Sequence, residues 1–97
     1  MMETKVQLNE TELKVYNYQQ EEQDSGLLKI MFEFTVTHEE YHDITTLLYK
    51  QEFDVSVPDK KLEFRGTICN YWTSFTNLYN AGATGEFHLE LIQVKDG

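Results

Sequence analysis

LLKIMFEFTVTHEEYHDITTLL, residues 27–48, carries two periods in succession. In its first half Leu28, Ile30, Phe32, Phe34 and Val36 alternate with Lys29, Met31, Glu33 and Thr35. A period of two built from aromatic and β-branched side chains marks a strand with one buried face. After Thr37 the period changes, and Tyr41, Ile44, Leu47 and Leu48 fall on one stripe of a helix. Thr37 and Glu40 have the spacing of a capping box, in which hydroxyl and carboxylate satisfy amides at a helix start. That placement puts His38 at the first helical position and predicts a helix ending near Lys50.

Strand signals flank this stretch on both sides. KVQL and TELKVYNYQQ read as two strands around a turn at residues 9–11, with Leu13 and Val15 on one face and Tyr16 and Tyr18 on the other. Residues 19–26 are a polar connection. Beyond the helix, Phe53, Val55 and Val57 resume alternation, and Pro58-Asp59 marks a turn. Leu62, Phe64 and Ile68 outline another strand, in which Gly66 suggests a bulge or bend. Residues 71–79 read as a further, aromatic-rich strand, 80–85 as a loop and 86–95 as the last strand. The order is β-β-β-α-β-β-β-β: an α+β, mainly β domain spanning residues 1–97. Its form is a curved antiparallel sheet, or a small partly open barrel of about seven strands, with one helix over a face or an open end. Ile30, Phe32, Phe34, Ile44, Leu48, Phe64 and Leu89 are the expected core.

Composition narrows the function classes. Hydrophobic residues make up 40% of the 97 and aromatics 13%, a folding composition. No apolar run reaches the roughly 18–20 residues of a membrane-spanning helix, and MMETKVQLNE is too polar for a secretory signal. Cys69 is the sole cysteine, which excludes an intrachain disulfide and suits a reducing, cytoplasmic setting, where it is expected as a buried thiol. Eight basic against seventeen acidic residues give a net charge of −9. Such a field repels phosphate backbones and anionic membranes, so neither nucleic acid nor membrane is expected as a partner. Imitation of DNA by carboxylates has little to rest on, because the densest acidic run, Glu21-Glu22-Gln23-Asp24, suits a solvated turn.

One motif raises the question of catalysis. His38-Glu39-Glu40-Tyr41-His42 fits the H-E-x-x-H pattern, in which two histidines hold zinc and a glutamate activates its water. Three observations count against a zinc hydrolase. The positive end of the helix dipole disfavours a dication beside His38. The apolar stripe centres far from both histidines, leaving them on a flank. Three histidines and twelve glutamates produce the pattern by chance in roughly one such chain per hundred. His88, in the last strand, is the one further histidine that could serve as a third ligand. We read the match as coincidental, with no catalytic residue, metal or cofactor expected. No G-x-S-x-G, G-x-G-x-x-G or G-x-x-x-x-G-K-[ST] pattern occurs.

Two stretches carry a family resemblance. YHDITTLLYKQEFDVSVPDKKLEFRG and TSFTNLYNAGATGEFHLELIQV resemble the small uncharacterised Bacillus proteins of the YkvR type, a domain-of-unknown-function family. The resemblance covers most of the chain. It implies a bacterial cytoplasmic protein and brings no functional residues with it. From the residues themselves, the favoured function is a non-catalytic protein-binding module. Its candidate surface is Tyr71, Trp72, Phe75, Asn77, Tyr79 and Asn80, aromatics set among hydroxyl and amide side chains. The competing reading places Trp72 and Phe75 in the core. A rival function is a prophage-derived or self-assembling structural protein whose sheet pairs edge to edge with copies of itself.

Overall fold

Alternation wins over most of the chain. The computed structural model describes residues 4–75 and 84–94, with side chains described for all of these except Ser74 and Phe75. Its elements are β1 (Thr4–Leu8), β2 (Thr11–Glu22), β3 (Leu28–Thr37), α1 (Tyr41–Leu48), β4 (Glu52–Val57), a 3-10 turn (Pro58–Lys60), β5 (Leu62–Phe75) and β6 (Thr84–Gln93). The six strands form a closed barrel in the order β1-β2-β3-β6-β5-β4, every pair antiparallel. Closure runs through the short β1–β4 ladder of Gln7 with Ser56 and Leu8 with Val55.

The barrel interior is the core. Val6, Leu8, Val15, Ile30, Phe32, Phe53, Val57, Leu89 and Leu91 are fully buried, and Ile44, Leu47 and Leu48 of α1 join them. Phe34 and Phe87 meet at 5.5 Å between ring centroids, and Tyr41 approaches Phe87 edge-on at 6.4 Å. Of the expected core, Phe64 alone is only half-buried, packed against the cluster from its margin.

Several expectations need correction, each for a local reason. The strands expected over 62–68 and 71–79 are one continuous strand, β5, as far as Phe75, the last residue described there, so six strands close the barrel instead of about seven leaving it partly open. Gly66 is not the bulge. Its backbone lies where an added Cβ would meet Phe64 Cε2, two residues back on β5, at 3.0 Å and Val55 Cγ2 of β4 at 3.1 Å, so these neighbouring side chains require its absence. The slip in register comes three residues later, between Ile68 and Asn70. Cys69 is the extra residue, and the thiol expected to be buried is exposed because a bulged residue has no partner to stack against.

A second slip, between Tyr16 and Gln19 against β3, rests on Asn17, whose φ of 54° is left-handed. Asparagine tolerates that conformation better than most residues. The slip turns Tyr18 onto the core, although strict alternation puts it outside with Tyr16. Strand β2 also continues to Glu22, through residues expected to be connection.

Helix α1 begins later than the sequence suggests. The capping box forms: the Glu40 amide donates to Thr37 Oγ1 at 3.3 Å, and the Thr37 amide to Glu40 Oε1 at 3.3 Å. It closes a turn over 38–40, however, and the α-helix starts at Tyr41 and stops at Leu48. His38 therefore lies in that turn, off the helix that carries His42.

Candidate recognition site

Between β4 and β5 the ladder stops well short of the end of β5. β4 pairs with β5 from Val57–Leu62 to Glu52–Thr67, and the Ile68 amide then donates to the Gln51 carbonyl at 2.8 Å. Beyond that bond β5 continues along β6 alone as far as Phe75. The chain preceding β4 is α1, so a helix lies where a further stretch of strand is needed to cover β5. A bulge increases twist and bends its strand, which is why β5 departs from the line of β4 at Cys69.

The departure leaves a cleft of about 720 Å³ between α1 and β5. Tyr41, Thr45 and Leu48 line it from the helix and Tyr49 from the cap that ends it, Ile68, Asn70, Tyr71 and Thr73 from the strand, and Phe87 from β6. Among the described residues no charged side chain lines it. Tyr71 is 55% and Tyr49 87% exposed, at opposite rims. Opposed residues share a face of a sheet, so Tyr71 and Thr73, opposite Leu89 and Phe87, look inward, and among the described residues no strand covers them. The Cys69 thiol also opens here. Although the residue is exposed, partial desolvation of the sulfur by its neighbours pushes its pKa up, which keeps it protonated and a poor nucleophile.

The outer face of the same strands carries a polar cluster. The Trp72 indole stacks on the His88 imidazole, centroids 3.8 Å apart and planes 11° from parallel. His88 Nε2 lies 2.9 Å from Glu90 Oε2, and Glu90 in turn pairs with Lys29 at 3.1 Å. The hydrogen bond from His88, and then the Lys29 ammonium, hold the Glu90 carboxyl below its ordinary value. Glu33 Oε2 lies 3.5 Å from His88 Nδ1, and Glu33 Oε1 accepts from Asn17 Nδ2 at 2.6 Å.

Of the surface expected from sequence, Tyr71 and Trp72 are described in full and prove to serve opposite faces. Tyr71 looks into the cleft, and Trp72 (49% exposed) lies over His88 outside the barrel, so Trp72 is not core. Phe75 pairs with Gly85 at the end of β5, and Asn77, Tyr79 and Asn80 lie outside the described residues. Sequence reasoning missed the helix side of the cleft. Tyr49, an aromatic just past the apolar stripe, was the signal that pointed to it. Among the described residues no three His, Cys, Asp or Glu side chains gather as a metal-binding group, and His42 is exposed in the first turn of α1. No helix among them is long and apolar enough to cross a membrane.

Fold and cleft together define a six-stranded antiparallel barrel with one helix set over an unpaired seam. Comparison of the chain with known proteins gives its family: it belongs to the one described as "Protein of unknown function (DUF3219)", whose model matches residues 5–97. It is 45% identical over 89 residues to "Uncharacterized protein YkvR" of Bacillus subtilis (strain 168), covering 92% of this chain and 91% of that one. The NMR solution structure of YkvR protein from Bacillus subtilis matches with a TM-score of 0.59 at 44% identity, over 93% of this chain and 84% of the other.

Proposed function

We propose that the chain is a non-catalytic, cytoplasmic protein-recognition module whose binding surface is the α1–β5 cleft. The carrying observation is the pair of tyrosines, Tyr49 and Tyr71, exposed at the rims of an uncharged cleft floored by Phe87. Tyrosine offers a large contact area with few rotatable bonds and a hydroxyl that tolerates water, so it recurs where proteins recognise proteins. The cleft lies within the size range of ligand sites, but its polar groups are hydroxyls and amides, with no acid, base or activated nucleophile among those described. The net charge of −9 disfavours nucleic acid and anionic membrane as occupants.

The test is selection of random peptides, displayed as a library, on the immobilised full chain. Peptides should enrich on the wild type, and synthetic copies should lose binding to the Tyr49→Ala/Tyr71→Ala double variant. That variant should keep its circular dichroism spectrum, since both side chains are exposed. Failure to enrich any peptide, or equal binding to the double variant, would remove the cleft as a recognition site.

A further inference from the structure

The main chain of β5 gives the recognition reading a specific geometry. The Val94 amide donates to the Arg65 carbonyl at 2.7 Å, which fixes the phase of β6. Main-chain groups in an antiparallel ladder alternate between the two neighbours, so Glu86, His88 and Glu90 face β5 while Phe87 and Leu89 face β3. The β3–β6 register runs without a slip from Lys29–Ile92 to Thr37–Thr84, so this phase holds along the strand. The Cys69 Sγ lies 3.5 Å from the Glu90 carbonyl, in keeping with it. Across the sheet, Asn70 and Trp72 are the partners of Glu90 and His88 and spend their main-chain groups on β6. Tyr71 and Thr73 therefore turn their N–H and C=O groups the other way, into the cleft. Among the described residues those groups meet no main-chain partner.

Resting on the recognition reading, we infer that the partner enters the cleft as an extended segment of another polypeptide. It adds a strand to the edge of β5 that no described main chain occupies and pairs with the main chain of Tyr71 and Thr73. Alternate side chains of such a strand fall on the Phe87 and Ile68 floor, and the rest face solvent or the opening. The segment recognised thus alternates apolar residues with polar or basic ones. Basic residues are favoured there because the chain carries seventeen acidic groups against eight basic ones. A second copy of this chain fits poorly: it brings the same net negative charge. Its β5 edge is also set beside its own α1, so two such edges do not meet without exposing one of them first.

The experiment uses the full chain and synthetic copies of the library-selected peptides, with the amides of β5 followed by NMR hydrogen exchange. In the free protein the Tyr71 and Thr73 amides should exchange fast and those of Asn70 and Trp72 slowly; adding peptide should protect Tyr71 and Thr73. Thr73→Pro removes one edge donor without touching the β6 ladder, so it should fold and bind about tenfold more weakly. Peptides lost in the Tyr49→Ala/Tyr71→Ala variant but bound at full strength by Thr73→Pro, with no new protection, would overturn strand addition and leave the recognition reading standing. Slow exchange of Tyr71 and Thr73 in the free monomer would also overturn it, whether or not Thr73→Pro folds. Protection that rises with protein concentration and no peptide would assign the edge to a second copy. Failure to select any peptide would overturn both inferences.

Discussion

Strand β3 and the second half of β5 are both rich in aromatics, and they end in opposite environments. Phe32 is fully buried and Phe34 2% exposed, whereas Tyr71 and Trp72 are about half exposed. β3 has a strand on each side, β2 and β6, and a barrel interior in front of it. β5 past Ile68 has β6 alone among the described residues, and a helix stands off across a cleft. Aromatic content does not decide burial here: Trp72 is exposed because it faces outward, and for the inward-facing Tyr71 what decides it is whether a neighbour continues the ladder.

The sharpest way to break that contrast is truncation on the closed side. Phe34→Ala should cost about 3–5 kcal/mol by denaturant unfolding, because the cavity forms where no wall can collapse. A loss below about 1 kcal/mol would place Phe34 outside the core it shares with Phe87. Gly66→Ala should cost about 1–3 kcal/mol, since the new methyl must displace Phe64 and the buried Val55 methyl. A neutral result would show that the half-buried Phe64 ring swings aside freely. Thr37→Ala removes the hydroxyl of the capping box and should cost about 1 kcal/mol, read in the same way.

Acid sharpens the comparison on the outer face. The folded carboxyl of Glu90 titrates below its unfolded counterpart, so its contribution is complete above the ordinary value of about 4.3. It is lost as pH falls through the lower folded value. Glu90→Gln should therefore flatten the decline of stability below about pH 4.3. An unchanged acid limb would mean that the His88 and Lys29 contacts carry no net stability. Smallest of all, Tyr71→Ala should change stability by about 0.5 kcal/mol or less, as exposed substitutions do.

The contrast also marks what the sequence made legible. β3, β4 and β6 were readable because apolar residues alternate without interruption, and α1 because its stripe changes period sharply after Thr37. The two bulges were less visible, but each left a trace. Leu13 and Val15 face inward at odd positions and Tyr18 at an even one; Ile68 faces inward at an even position and Tyr71 at an odd one. Such a change of phase is the mark of an inserted residue, and at Cys69 it lies three residues from Gly66, where the bulge was expected. The stack of Trp72 on His88 left no local trace, because it depends on a register set between two strands. Of the cleft, Tyr71 alone was among the aromatics that the sequence singled out for recognition, and Trp72 beside it faces the other way. The helix side was not legible, since what places Tyr49 opposite Tyr71 is the ladder ending at Thr67.

The slip at Cys69 also makes curvature a matter of arithmetic. Over the stretch where β6 runs from Leu91 to Glu90, β5 spends two steps, from Ile68 to Asn70. The longer path must arc, and the arc carries the strand away from β4. Removing Cys69 would leave Asn70 through Thr73 facing the same β6 residues as before, with each side chain on its present face. What would change is length: the two strands would run in equal steps, and β5 would flatten toward the line of β4. A substitution anywhere on the cleft wall alters its chemistry, whereas a one-residue deletion at this position alters its width.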